Sequence, residues 1–153
     1  MTVRRRRPVP ALRHDAQPVL PPHVQGGERS PMPSIQELLQ SFIKVRGVRS
    51  ALVVGSDGLV LESSLSSEGE PVDVDAVGAV AASGLVPALE LGIQTGHGSL
   101  TQAIYEYRDA LIVIEALGDD AVLVIVTDLL ANLGLLRLQA RKARPDLARA
   151  LRG

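Results

Sequence analysis

Two short glycine-containing segments are the first places in this sequence where phosphate chemistry could occur. Residues 55–58 read GSDG, and residues 96–100 read GHGSL. A P-loop needs a Gly-Lys-Ser/Thr ending that opens a helix, and neither segment has one. A dinucleotide-binding fingerprint needs more glycines and a following helix, whereas GHGSL leads into a strand-like pattern. Both segments are therefore predicted to be turns, and no cofactor is expected.

His97 and Ser99 are candidates for a metal ligand or for a nucleophile with its base. His97 has no second ligand nearby in the sequence, the chain has no cysteine, and no acid is placed to complete a triad. Acidic neighbours occur at two further places: Asp119 with Asp120, and Glu68 with Glu70. These segments are predicted turns or loops, where solvated carboxylates are typical. The sequence predicts a protein that is not an enzyme, without catalytic or metal-binding residues.

Basic side chains gather at two places that could contact a nucleic acid or an acidic surface. One is the run Arg4–Arg7, and the other is a row on the last predicted helix: Arg137, Arg141, Lys142 and Arg144. On the helix, a solvated face with its cations near the C-terminal end of the dipole is the simpler interpretation. Aromatic residues make up only 2% of the chain, too few for stacking platforms. No nucleic-acid partner is expected.

Residues 1–33 are predicted to form a disordered, Arg- and Pro-rich tail. Residues 1–31 carry a net charge of +4 and residues 32–153 a net charge of −5. The tail has no hydrophobic periodicity, so it cannot bury enough apolar surface to offset the entropy of ordering. It could be a tether, a solvated tail, or residues upstream of a true start at Met32. Because no cysteine and no apolar run of membrane-spanning length is seen, we expect a cytoplasmic protein without a membrane span.

Residues 34–144 are predicted to form one α+β domain in the order α-β-β-α-β-β-β-α, with one antiparallel sheet. Ser34 and Glu37 have capping-box spacing, and Gly47 is placed where the first helix ends. The segment SDG between two apolar runs predicts a hairpin whose two-residue Asp57-Gly58 reversal needs positive φ. Pro145 is expected to break or kink the last helix, which leaves residues 145–153 as an extension or a tail.

The second predicted helix, Asp73 to Leu91, has apolar or small residues nearly all round it. A helix of this kind is buried on more than one face, and one sheet covers only one of them. The small residues Gly78, Ala82, Ser83 and Gly84 would let a second helix approach closely. That helix could come from a partner chain or from the same chain.

With its motifs in order, the sequence resembles the Roadblock (dynein light-chain) family and its bacterial MglB-like branch. Three segments carry the resemblance: GVRSALVVGSDGLVLESS, DVDAVGAVAASGL and LIVIEALGDDAVLVIVTDLLANLGLLRLQARKA. It covers about residues 34–144. The resemblance implies a five-stranded sheet with helices on its faces, in a Roadblock/profilin-like layout.

The resemblance also implies homodimers or heterodimers in which the third strand pairs with its counterpart and the second helices pack together. On that basis a homodimer interface is expected at Gly78, Ala82, Leu85, Leu89, Ala103, Ile104 and Tyr105. In MglB-like proteins the dimer binds one small Ras-like GTPase through the second helices. By position alone, that surface would include Asp73, Asp75, Ser83, Pro87 and Glu90.

The function implied by the resemblance is regulation of a small Ras-like GTPase, by activation or by sensing its nucleotide state. Two other classes stay open. A dimeric scaffold would join a larger complex without altering nucleotide hydrolysis. A small-ligand sensor would use the pocket that profilin-like layouts hold in other families, which is a weak argument from fold alone.

Overall fold

The computed structural model describes residues 31–153, so the predicted tail lies outside the described residues except for its last three. The predicted α+β class and element order are confirmed. The elements are α1 (Ile35–Ile43), β1 (Val48–Gly55), β2 (Val60–Leu65), α2 (Val74–Gln94), β3 (Gln102–Glu106), β4 (Ala110–Ala116), β5 (Ala121–Asp128) and α3 (Leu133–Arg152).

One antiparallel sheet holds all five strands, in the order β2-β1-β5-β4-β3. The central strand β5 reads AVLVIVTD and is buried along most of its length, as expected for a strand covered on both faces. Strands β2 and β3 form the two edges. Within residues 31–153, each of these two strands has a neighbouring strand on one side only.

Helices cover the two faces of the sheet unequally. On one face, α1 and α3 bury the larger apolar core, which includes Phe42, Leu123 and Leu136. On the other face, α2 alone covers a smaller core around Leu52 and Val124. The face that carries α2 is therefore the less completely covered one.

The first hairpin differs from the predicted two-residue reversal. The Gly55 N–H donates to the Leu59 carbonyl at 2.9 Å, so three residues lie in the loop. Only Gly58 has positive φ, at +87°, and Asp57 instead accepts a hydrogen bond from the Leu59 N–H at 3.1 Å. A three-residue loop ending in a left-handed glycine explains both observations.

The structure corrects the predicted end of α1 and decides between the alternatives for the end of α3. The capping box of Ser34 and Glu37 is confirmed, but α1 ends at Ile43 with Lys44 as its C-cap, so Gly47 lies beyond the cap. Helix α3 continues through Pro145 to Arg152, so the proline does not break it, and the residues after Pro145 extend the last helix, which is one of the two predicted alternatives. Pro145 removes one backbone hydrogen-bond donor from the helix. The helix continues because the apolar side of α3 packs on the core, where Leu147 is fully buried.

Candidate interaction surface

Helix α2 exposes large apolar side chains on both flanks of its outward side. Val80, Val86, Leu91 and Ile93 are each between 65% and 71% exposed. Asp75 and Glu90 are the only charged side chains in the helix, which contains no Arg or Lys. Isolated exposed apolar residues are ordinary, but several large ones on a single helix are typical of an interaction site.

The inward side of α2 is built from small residues that let the helix lie close to its own sheet. A Cβ added at Gly78 would come within 2.7 Å of Val60 Cγ2 and 3.2 Å of the Gly58 carbonyl oxygen. Ala81 and Ala82 are also buried on this side. Gly78 and Ala82 therefore contact the sheet of their own chain, and a partner cannot reach them in the way the sequence suggested.

Helix α2 is also the one helix within residues 31–153 that is long and apolar enough to cross a membrane. Its best 18-residue window has a mean hydropathy of 1.7. This corrects the expectation that no apolar run reaches that length. A single such helix is weak evidence for a span, and α2 packs its small side chains on the sheet, although only 17% of this window is buried.

Strand β3 presents an apolar edge beside α2. Its side chains alternate as expected: Ala103 and Tyr105 pair with Ile114 and Ile112 on the α2 side, and Ile104 pairs with Val113 on the other. Ala103 packs against the smaller core, whereas Ile104 and Tyr105 are 37% and 40% exposed. Within the described part of the chain, β3 pairs only with β4, so its outer backbone groups are open to another strand.

A groove of about 400 Å³ joins these two surfaces. It runs between α2 and the strands β3 and β4, and Val80, Gly84, Tyr105 and Tyr107 line it. Gly84 lies opposite Tyr105, because a Cβ added there would be 3.5 Å from the tyrosine hydroxyl. The apolar surface is therefore continuous from the flank of α2 to the edge of the sheet.

The remaining predicted contact residues all belong to α2 or its cap. Asp73 is the N-cap and accepts from the Ala76 N–H at 3.1 Å, and Leu85 packs half-buried against the smaller core. The others lie exposed: Asp75, Ser83, Pro87, Leu89 and Glu90. Their role in contacting a GTPase stays a prediction.

The candidates for chemistry lie in two exposed loops, and Ser99 and Asp119 line one pocket of about 380 Å³ between them. His97 and Ser99 are exposed in the loop after α2, and Asp119 and Asp120 are exposed in the β4–β5 turn. Residues 31–153 contain no group of three or more potential metal-ligating side chains.

One polar cluster was missed from the sequence. Glu115 lies one residue before the end of β4 and is fully buried, and it binds Arg144 of α3 and Gln102 of β3. Its signal was a single acidic residue inside the apolar run ALIVIEAL, which a both-sides-buried strand does not normally contain.

Comparison with known proteins assigns the family. A family model described as Roadblock/LC7 domain matches residues 34–127. Two uncharacterized proteins of Methanocaldococcus jannaschii, MJ0310 and MJ1340, are each 33% identical over 109 residues, which is 71% of this chain and 92% of either relative.

Solved structures of similar fold are consistent with the same family. A structure described as MglB with tetrameric arrangement is 25% identical, with a TM-score of 0.70 over 74% of this chain and 85% of that one. A Roadblock/LC7 domain from Streptomyces avermitilis is 20% identical and shares the fold, with a TM-score of 0.70 over 79% of this chain and 100% of that one. This chain belongs to the Roadblock/LC7 domain family.

Proposed function

We propose that this protein is a non-catalytic, cytoplasmic homodimer that regulates a small Ras-like GTPase. The observation that carries the proposal is the continuous apolar surface formed by the flank of α2, the groove and the open edge of β3. Membership of the Roadblock/LC7 family and the likeness to MglB structures support the same function.

A twofold axis beside β3 would bury this surface efficiently. Antiparallel pairing of β3 with its copy continues the sheet and satisfies the open backbone groups. It also places both copies of α2 on the same side of the extended sheet, with the flanks that carry Val80 and Gly84 facing each other. Gly84 has no side chain to hold the helices apart, and Tyr105 would be covered at the base of the contact.

The outermost ridge of α2 would stay accessible in such a dimer. Ser83, Pro87 and Glu90 are spaced i, i+4 and i+7, so they lie along one side of the helix, and all three are exposed. Asp73 and Asp75 add negative charge at the N-terminal end of the same helix. Two such ridges side by side form the surface that we propose for the GTPase.

The chemistry of α2 limits how regulation could work. Because α2 contains no Arg or Lys, it offers no arginine finger for the nucleotide phosphates. Acceleration of hydrolysis would therefore come from binding the GTP-bound switch conformation more tightly, so that the GTPase's own catalytic groups are held in place.

The test is a titration of the purified dimer against the Ras-like GTPase of the same organism. The GTPase is loaded with GDP or with a non-hydrolysable GTP analogue, and single-turnover GTP hydrolysis is measured in parallel. We expect tighter binding to the GTP-analogue form and faster hydrolysis. Equal affinity for both forms with an unchanged rate would contradict regulation and would favour the scaffold function instead.

A further inference from the structure

A second, polar pocket lies on the face of the sheet opposite α2. It has a volume of about 390 Å³ and is formed where α3 crosses the edge of the sheet at β3 and β4. Three arginines, three other polar side chains and one apolar side chain line it: Arg137, Arg141, Arg144, Thr101, Gln102, Glu115 and Ile104. None of the surfaces described for dimerisation or GTPase binding needs these arginines.

A chain of hydrogen bonds holds two of the arginines in place. Buried Glu115 accepts from Arg144 Nε at 2.6 Å through Oε1, and from the Gln102 side-chain amide at 2.7 Å through Oε2. Gln102 then accepts from Arg137 Nε at 2.9 Å through its amide oxygen. The carboxylate at the base of the pocket thus orients guanidinium groups on both sides of it.

The pocket carries more positive than negative charge. Only Arg144 has a carboxylate partner, because no acidic side chain within residues 31–153 forms an ion pair with Arg137 or Arg141. Nearby on the same helix, by contrast, Arg149 pairs with Asp146 at 2.9 Å. Three arginines and one glutamate leave a net charge of +2 in the pocket.

We propose that this pocket binds an anion that bears a terminal phosphate group, either free phosphate or a phosphate monoester. The planar guanidinium fork matches phosphate oxygens, and Arg137 is preorganised for that contact by its bond to Gln102. A phosphate dianion balances the net charge of +2, whereas a single carboxylate leaves half of it uncompensated. Thr101 and Ile104 then border the space for an organic group on the phosphate.

The proposed site is independent of the proposed GTPase surface, because α3 and α2 lie on opposite faces of the sheet. If the dimer forms through β3, the two pockets lie on the same face, one on each side of the twofold axis. Each pocket would then adjoin the strand that joins the protomers, because Gln102 and Ile104 of β3 line it.

Calorimetric titration with inorganic phosphate and with glycerol 3-phosphate, in a phosphate-free buffer at fixed ionic strength, tests the proposal. Acetate serves as the carboxylate comparison. We expect both phosphates to bind the full chain and acetate to bind at least tenfold more weakly. Stronger binding of glycerol 3-phosphate would identify monoesters as the source, and equal binding would identify the phosphate group alone. Equal heats from phosphate and acetate would overturn the proposal.

Variants locate the binding. Arg141→Ala removes a guanidinium that holds no other group in the described structure, so the fold is expected to persist, and phosphate affinity should fall about tenfold or more. Lys142→Ala removes an exposed cation from the next position of α3, outside the pocket, and should leave affinity unchanged. Circular dichroism checks that both variants fold. Equal loss in the two variants would show that only general positive charge is sensed, and would refute the site.

Discussion

The carboxylate of Glu115 in β4 is fully buried beneath α3, where the guanidinium of Arg144 donates to it through two nitrogen atoms. The two residues lie 29 positions apart in the chain, so the contact fixes α3 against the far part of the sheet. An ion pair at this depth adds little net stability compared with an apolar pair, but losing one partner is costly because the other charge stays buried.

We expect Arg144→Ala to destabilise the fold by about 3 kcal/mol, the lower end for breaking a buried pair, because the arginine is itself one-third exposed. Urea unfolding followed by circular dichroism measures the change. Arg149→Ala breaks the exposed pair with Asp146 on the same helix and should cost less than about 1 kcal/mol. A similar cost for both variants would mean that Glu115 does not depend on Arg144.

Gly47 is expected to be the glycine least tolerant of substitution among those with positive φ. Its φ is +88°, and an added Cβ would lie 2.6 Å from the Ala131 backbone nitrogen and 2.5 Å from Asp128 Oδ1. Gly96 has a similar φ of +72° with nothing within 4 Å of the added atom. Thermal unfolding should show a cost of about 1 kcal/mol for Gly96→Ala and a clearly larger cost for Gly47→Ala. Equal costs would mean that backbone strain alone, without the close approach, determines the requirement at Gly47.

Much of this fold could be predicted because the signals that define its helices and strands are local in the sequence. The capping box at Ser34, the apolar strands and the alternation along β3 each depend on near neighbours in the sequence. The inward side of α2 could not be predicted in this way. A helix with apolar residues all round does not indicate which side meets the sheet. The sequence therefore predicts a partner contact at Gly78 and Ala82, whereas in the structure both residues pack against the smaller core beside Val60.

The polar pocket could not be predicted from the sequence, for a different reason. Arg137, Arg141 and Arg144 follow an ordinary pattern of a solvated helix face. These arginines form a pocket only together with Glu115, which is distant from them in the sequence and lies beside them because α3 crosses β4. A contact of this kind is set by tertiary packing, and the sequence offered only the unexpected acid within a buried strand.

Dimerisation through the groove predicts that the two flanks of α2 respond differently to charge. Val80 lines the groove, whereas Val86 lies on the other flank, about 120° away round the helix axis. The two side chains are equally accessible, at 71% and 70% exposed. Val80→Glu should raise the dimer dissociation constant about 10- to 100-fold by losing apolar burial, and Val86→Glu should leave it near the wild-type value. Analytical ultracentrifugation measures both. Dissociation of the Val86→Glu dimer alone would move the interface to the other flank.

Charge reversal at Glu90 tests the ridge proposed for the GTPase. Glu90 is exposed, and apart from a bond to Gln94 within the same helix its carboxylate has no partner in the described structure. Glu90→Lys should slow association with the GTP-bound GTPase and change its salt dependence, because charges at an interface act mainly on the rate of encounter. Stopped-flow binding at two ionic strengths measures this, with ultracentrifugation to confirm that the dimer persists.

Glu70→Lys introduces the same change in the exposed loop before α2 and should leave association close to wild type. If the two variants slow association equally, the GTPase senses the overall charge of the protein, and the ridge of α2 is not its docking surface.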